Sequence, residues 1–66
     1  MVVAEILKER RQTLGLSQVD LAEMAGVGIA TVKNIECGKA NPSIRTIESI
    51  AEVLGLELSL TLKNCY

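Results

Sequence analysis

The stretch SQVDLAEMAGVGIATVKNIECG, residues 17–38, decides the fold of this 66-residue chain. Its first part predicts a helix that begins at Ser17, because Asp20 lies three residues later and completes a capping-box pattern. In such a box, the serine side chain and the acidic side chain each accept a hydrogen bond from a backbone amide at the helix start. The expected buried side of this helix consists of four apolar residues: Val19, Leu21, Ala22 and Ala25.

The second part of the stretch predicts another helix, over residues 28–37, with Val32 and Ile35 on its apolar side. Ile29 fits either that apolar side or the opposite, exposed side. Only a very short turn around Gly26 separates the two helices. Two helices of about nine residues that are joined by so short a turn form a helix-turn-helix.

Glycines mark the ends of the predicted helices. A residue just past a helix end often has a positive φ, which glycine adopts more readily than other residues. Four glycines follow segments with helical spacing: Gly15, Gly26, Gly38 and Gly55. A loop of turn-forming residues occupies positions 38–43. The helix predicted after this loop has five apolar residues: Ile44, Ile47, Ile50, Ala51 and Leu54.

The first predicted helix raises a question of charge. Val3, Leu7 and Leu14 form its apolar stripe, and either Arg10 or Arg11 fills the gap on the same face. An arginine on a core-facing stripe needs an acidic partner, because an unpaired buried charge is costly. The spacing does not choose between the two arginines.

The last segment changes its period. Residues 56–63, LELSLTLK, alternate strictly between apolar and polar side chains, which predicts a strand with one apolar face. That face consists of four leucines: Leu56, Leu58, Leu60 and Leu62. A lone strand leaves its backbone groups unpaired, so we expect it to pair with the same strand of a second copy. The alternative is a frayed terminal helix, against which Gly55 and the alternation both argue.

The composition excludes several classes of function. The chain has no histidine, and its two cysteines are too few and too far apart for a zinc site or a disulfide framework. We expect Cys37 to be a small buried side chain and Cys65 to be an inert thiol. No apolar run approaches the length of about 18 residues that a membrane span needs, and the N-terminus lacks a signal pattern. These features predict a cytoplasmic, non-enzymatic protein without metal or cofactor.

The charges are unevenly distributed along the chain. The net charge is −1, which gives no overall support for binding to nucleic acid. Residues 26–47, however, contain three basic residues and one acidic residue, so their local charge is +2, against −3 for the rest. A basic face opposite an acidic face and a surface of scattered, solvated charges both fit this pattern.

Residues 17–43 resemble the helix-turn-helix of phage-repressor-like regulators, the Cro/C1 (XRE) family. The matching positions are Ser17, Gln18, Leu21, Ala22, Ala25, Gly26, Val27, Thr31, Val32, Ile35, Glu36, Gly38, Lys39, Asn41, Pro42 and Ser43. With its flanking helices, the similarity extends over about residues 4–55. It implies an all-α fold, in which residues 1–55 form a compact DNA-binding domain of four to five helices. The strand at 56–63 would then pair across a dimer, and residues 64–66 would be a tail.

The resemblance also implies roles for single residues. An ion pair between Arg11 and Glu36 would tie the first helix to the end of the third. The third helix would enter the major groove of double-stranded DNA, with base contacts from Ile29, Ala30, Lys33 and Asn34. Relatives often carry Gln or Ser where this chain has Ile29 and Ala30, which offer thymine methyls a contact but no hydrogen bond. Contacts to the DNA backbone are implied for Gln18, Thr31, Lys39, Asn41, Ser43 and Arg45.

These observations favour one function and leave an alternative. The favoured one is a sequence-specific regulator of transcription, expected to be a repressor, that binds a palindromic operator as a homodimer in the bacterial cytoplasm, at the nucleoid. The alternative follows from the ending at residues 56–62, which resembles that of antitoxins paired with kinase-type toxins. Such a protein would bind and neutralise a toxin and regulate its own operon. RNA binding is disfavoured, because Tyr66 is the only aromatic residue available for base stacking.

Overall fold

The computed structural model describes residues 3–39 and 41–58, and these form four helices and no strand. The helices are α1 (Val3–Thr13), α2 (Gln18–Ala25), α3 (Ile29–Glu36) and α4 (Ile44–Val53). Helix α2 lies at the centre and packs against both α3 and α4, while α1 packs against α3. The predicted helix-turn-helix is therefore α2, a short turn, and α3.

The helix ends follow the local chemistry of the sequence. The Ser17 Oγ accepts a hydrogen bond from the Asp20 amide at 2.9 Å, and the Asp20 Oδ2 accepts one from the Ser17 amide at 3.1 Å. The predicted capping box is thus confirmed, and these hydrogen bonds hold the pKa of Asp20 below its ordinary value. At the other end of α2, Gly26 has a φ of 71°. This left-handed conformation ends the helix and allows α3 to begin at Ile29, three residues after Gly26.

A small aliphatic core holds the helices together. Its buried residues come from all four helices and the end of α4: Leu7, Leu21, Ala22, Val32, Ile35, Ile50, Ala51 and Leu54. Leu21 is 1% exposed and Leu54 is completely buried. Burial of a leucine side chain contributes about 1.5–3 kcal/mol, so these contacts supply most of the favourable free energy of folding.

Several apolar residues that were expected in the core are exposed instead. Val19 is 47% exposed, because a rotation of about 100° per residue places it roughly 110° from the centre of the arc formed by Leu21, Ala22 and Ala25. Ile44 is the first residue of α4 and is 64% exposed, since the buried residues of that helix, Ile50 and Ala51, lie towards its other end. Val3 and Leu14, at the two ends of the α1 stripe, are also exposed.

The expectation that Cys37 is buried is wrong. Cys37 is the C-cap residue of α3 and is exposed, with its thiol directed to the carbonyl oxygen of Asn34 at 3.4 Å. The physical reason is its position, since it follows Ile35 by two residues and therefore faces away from the core.

The predicted C-terminal strand falls mostly outside the described residues. Residues 59–63, which include Leu60 and Leu62, and the tail at 64–66 are not described. Within the described part, residues 56–58 have no regular secondary structure, and Leu56 packs against the core. The strand and its pairing therefore remain a prediction. In the described part of the chain, no helix is both long enough and apolar enough to cross a membrane.

Candidate nucleic-acid interface

Helix α3 has one buried side and one exposed side. Val32 and Ile35 enter the core and are 1% and 5% exposed, which fixes the rotation of the helix about its axis. The four residues with expected base contacts are all exposed and share the opposite side: Ile29, Ala30, Lys33 and Asn34. The structure thus decides the position of Ile29, which is 38% exposed and not part of the core.

The residues expected to contact the DNA backbone occupy two kinds of environment. Lys39, Asn41, Ser43 and Arg45 are exposed, in or after the loop between α3 and α4. Gln18 and Thr31 are half-buried, at the start of α2 and within the first turn of α3.

Ser43 has a structural role in addition to its place in this set. Its Oγ accepts a hydrogen bond from the Thr46 amide at 3.2 Å and lies 3.0 Å from the Thr46 Oγ1. Ser43 is therefore the N-cap of α4. A serine directly before a helix favours this role, whereas the family resemblance implied only a contact with the DNA backbone.

Arg11 and Glu36 form an ion pair between α1 and α3. The Arg11 Nε donates to the Glu36 Oε2 at 2.7 Å, and the Arg11 Nη2 donates to the Glu36 Oε1 at 2.9 Å. The third nitrogen of the guanidinium, Nη1, donates a hydrogen bond to the carbonyl oxygen of Leu16 at 2.7 Å. Both side chains are largely buried, with 11% of the arginine and 4% of the glutamate exposed. This planar, two-pronged geometry is the strong form of an ion pair.

The ion pair shifts the pKa values of both partners. Burial raises the pKa of Glu36, but hydrogen bonds from Arg11 and Gln18 and the positive charge of Arg11 lower it by more, so that it lies below its ordinary value. The pKa of Arg11 is raised, chiefly by its hydrogen bonds with Glu36. Glu36 is therefore ionised at neutral pH, and its charge is neutralised within the fold rather than presented to a polyanion.

Gln18 joins this pair. Its Nε2 donates to the Glu36 Oε1 at 3.2 Å, so the same carboxylate oxygen accepts from both Arg11 and Gln18. The structure thus brings three of the expected functional residues together, one from each of α1, α2 and α3. Sequence reasoning missed the contact between Gln18 and Glu36, because no local pattern relates residues that are 18 positions apart.

Arg10 is the second contact that sequence reasoning missed. Its Nε donates to the carbonyl oxygen of Leu54 at 2.8 Å, which satisfies one of the free carbonyls at the end of α4. The two adjacent arginines of α1 therefore have different partners, Arg11 at α3 and Arg10 at α4. The spacing had placed one of them on the core-facing side, and both make tertiary contacts.

The surface expected at the dimer interface is only partly described. Leu56 is half-buried, whereas Leu58 is 44% exposed. These two leucines border a mainly apolar groove that α1 and α4 line with Val3, Ile6 and Ile47. Among the residues that the structure describes, no cluster of acids or cysteines has a geometry suited to a metal ion.

Comparisons with known proteins agree on the family. A family model for the helix-turn-helix matches residues 7–60 of the chain. The chain is 37% identical over 59 residues to the immunity repressor protein of Bacillus phage phi105, which covers 89% of this chain and 41% of the repressor. It is 36% identical over 56 residues to the transcriptional regulator DdrOP3 of Deinococcus deserti, with coverage of 85% of this chain and 43% of that protein. It is 42% identical over 53 residues to the transcriptional regulator PuuR of Escherichia coli, with coverage of 80% and 29%.

The chain therefore spans less than half the length of these three relatives. The matched region contains the buried ion pair, the capped start of α2 and the exposed side of α3. On the family match and these similarities, the chain belongs to the helix-turn-helix family of the Cro/C1 (XRE) type.

Proposed function

We propose that this protein binds double-stranded DNA in a sequence-dependent manner and regulates transcription, with α3 as the recognition helix. One observation carries the proposal: α3 is anchored in the core by Val32 and Ile35 and exposes Lys33 and Asn34 on its other side. A short helix fixed in this way fits the major groove, where base edges present distinct patterns of donors and acceptors. The similarity to named repressors and regulators supports the same function.

The exposed side of α3 would read bases through few hydrogen bonds. Asn34 suits a two-pronged contact with adenine, and Lys33 suits a guanine or a phosphate. Ile29 and Ala30 would contact thymine methyl groups. Half of this surface is apolar, so the preference for one base sequence would come from Lys33, Asn34 and the deformability of the DNA.

The remaining contacts would hold the DNA backbone. Exposed Lys39 and Arg45 supply positive charge beside α3, while Gln18, Thr31, Asn41 and Ser43 supply polar groups. Such contacts fix the position of the protein on the duplex and supply affinity without reading the sequence. Glu36 is the only acidic residue in positions 26–47, and it is paired with Arg11 within the fold. The exposed charged residues of this segment are therefore all basic, although the whole chain has a net charge of −1.

We propose further that the active form is a homodimer on a palindromic operator, in which it represses transcription. One domain offers few phosphate contacts, and two copies would place two α3 helices about 34 Å apart, one turn of the duplex. The leucine alternation at residues 56–62 is the proposed interface, with its first two leucines beside the groove between α1 and α4.

The test is fluorescence anisotropy of labelled duplex from the region upstream of the gene, measured over a series of salt concentrations. We expect tight binding of two chains per site, and an affinity that falls steeply with salt, because binding releases counterions from the DNA and added salt opposes that release. A random duplex of equal length is the control. Equal affinity for both duplexes would contradict sequence-dependent binding, and one chain per site would contradict the dimer.

A paired set of variants tests the assigned roles. The combination Lys33→Ala with Asn34→Ala should reduce the preference for the upstream duplex over the random one. Lys39→Ala should weaken binding to both duplexes equally and reduce the salt slope by about one. The assignment is wrong if both variants weaken the two duplexes to the same extent.

The leucine-rich ending supports one second candidate function, that of an antitoxin that also regulates its own operon. It predicts a partner toxin encoded beside this gene, which would co-purify with the full chain and lose its toxicity when bound. Expression of the adjacent gene with and without this protein separates the two candidates, because a regulator without a toxin partner would not change cell growth.

A further inference from the structure

Glu36 accepts more hydrogen bonds than its pairing with Arg11 requires. Its Oε2 accepts a hydrogen bond from the Arg11 Nε. Its Oε1 accepts two, from the Arg11 Nη2 at 2.9 Å and from the Gln18 Nε2 at 3.2 Å. With only 4% of its side chain exposed, this carboxylate is a fixed acceptor on the inner side of the helix-turn-helix. It therefore restrains the side chain of the first residue of α2.

Gln18 lies where α2 presents free backbone donors. The capping box engages the amides of Ser17 and Asp20, and the first hydrogen bond within the helix is donated by Leu21 to the carbonyl of Ser17. The amides of Gln18 and Val19 precede that bond, so they have no partner within the helix and lie at the positive end of its dipole. An amide side chain held beside them adds a donor to the same end of α2.

The Nε2 of a glutamine carries two hydrogens, and Glu36 engages one of them. Within residues 3–39 and 41–58, the other hydrogen has no acceptor, so we take it to be available to an external one. We infer that Glu36 is a positioning residue for DNA binding, because it holds Gln18 so that the second Nε2 hydrogen and the first amides of α2 meet one phosphate. This inference rests on the proposed function, from which it takes the DNA and the phosphate contact of Gln18.

The arrangement removes a cost from binding. A free glutamine side chain samples many rotamers and loses that freedom when it contacts a phosphate. Glu36 fixes the side chain before the DNA arrives, so the contact forms with less loss of entropy. The other end of α3 cannot restrain Gln18 in the same way, because its first residue is Ile29, whose side chain has no hydrogen-bonding group. Glu36 thus supplies the restraint from the opposite end of α3.

The first measurement uses the free protein. The mobility of glutamine side-chain NH₂ groups is measured by ¹⁵N relaxation, with Gln12, which is exposed on α1, as the internal reference. We expect the NH₂ group of Gln18 to be restrained and that of Gln12 to be mobile, with an order parameter below about 0.6. Equal mobility of the two groups would overturn the inference, whatever the protein does with DNA.

The second measurement compares four proteins and one control variant in the DNA-binding assay. The Glu36→Ala variant leaves Arg11 without its partner and is expected to be strongly destabilised, so the ion pair is replaced as a whole by Arg11→Met with Glu36→Met. Pairs replaced by apolar residues of similar volume usually remain folded. Gln18→Ala is then made in the wild type and in this double-methionine background, and Gln12→Ala serves as the matched control.

We expect Gln18→Ala to weaken DNA binding about tenfold in the wild type and less than about threefold in the double-methionine background. A merely structural role for Glu36 would leave the effect of Gln18→Ala the same in both backgrounds, and that result would overturn the inference while DNA binding stands. Absence of binding by the wild type to any duplex would instead refute the proposed function, and the inference with it. If the double-methionine protein does not fold, the relaxation comparison decides alone.

Discussion

The buried ion pair between Arg11 and Glu36 predicts a large and asymmetric effect of mutation on stability. In Glu36→Ala, the guanidinium of Arg11 keeps its hydrogen bond to Leu16 but loses both contacts to the carboxylate. The Arg11 side chain, which is 11% exposed in the wild-type fold, then carries a charge with no counterion within the described residues. Removal of one partner of a buried pair costs about 3–5 kcal/mol.

That loss is large for a domain of this size. The free energy of unfolding of natural domains is about 5–15 kcal/mol, and a small aliphatic core places this chain at the lower end. A loss of 1 kcal/mol lowers the melting temperature of a 60–100-residue domain by about 4–8 °C, so Glu36→Ala should lower it by roughly 12–40 °C. Part of the population should be unfolded at 37 °C.

The assay is thermal and urea denaturation followed by circular dichroism, with three proteins compared. Lys33→Ala, which removes an exposed charge on the same helix, is the control and should change the unfolding free energy by less than about 0.5 kcal/mol. The Arg11→Met/Glu36→Met protein should be at least as stable as the wild type, or more so by about 1–4 kcal/mol. A cost of less than about 1 kcal/mol for Glu36→Ala would refute the reasoning, since an exposed ion pair behaves in that way.

Three further outcomes are expected. Because the pKa of Glu36 is lower in the folded chain than in the unfolded one, its contribution is complete above about pH 5 and is lost as the pH falls through the folded pKa. The double-methionine protein should therefore lose less stability than the wild type in acid denaturation, and parallel curves would contradict this. Gly26→Ala should cost about 1–2 kcal/mol in urea denaturation, because φ is +71° there. Gly28→Ala should cost about 1 kcal/mol or less, because φ is −74° and the nearest atom lies 3.9 Å from the added Cβ, although alanine is a poorer N-cap than glycine. Removal of residues 59–66, which leaves Leu56 in the core, should convert the proposed dimer to a monomer in sedimentation, and a truncated chain that still sediments as a dimer would argue against the strand interface.

Local sequence signals predicted the helix boundaries well. The capping box of Ser17 and Asp20 and the glycine at position 26 act through hydrogen bonds and dihedral preferences within a few residues of themselves. Such signals are complete in the sequence, and α2, the turn and α3 lie close to the predicted positions. The exposed side of α3 followed from the same information, since Val32 and Ile35 define its buried side.

The sequence was a weaker guide to burial at helix ends. Val19 and Ile44 are apolar and lie on helices, yet both are exposed. Val19 lies outside the arc of α2 that packs on the core, and Ile44 lies at the end of α4 that is away from its buried residues. Cys37 was expected to be buried and is exposed, because as the C-cap of α3 it follows Ile35 by two residues and faces away from the core.

The sequence by itself determined the four helical segments, the turn between α2 and α3, and the family to which the chain belongs. The ion pair of Arg11 with Glu36 was implied by the family resemblance, although the spacing alone did not choose between the two arginines. Only the tertiary structure decided that Arg10 contacts Leu54 and that Gln18 shares the carboxylate of Glu36. The difference is physical. Caps and turns are stabilised by contacts a few residues apart, whereas these polar contacts join positions 18 to 44 residues apart and exist only once the aliphatic core has set the distances between the helices.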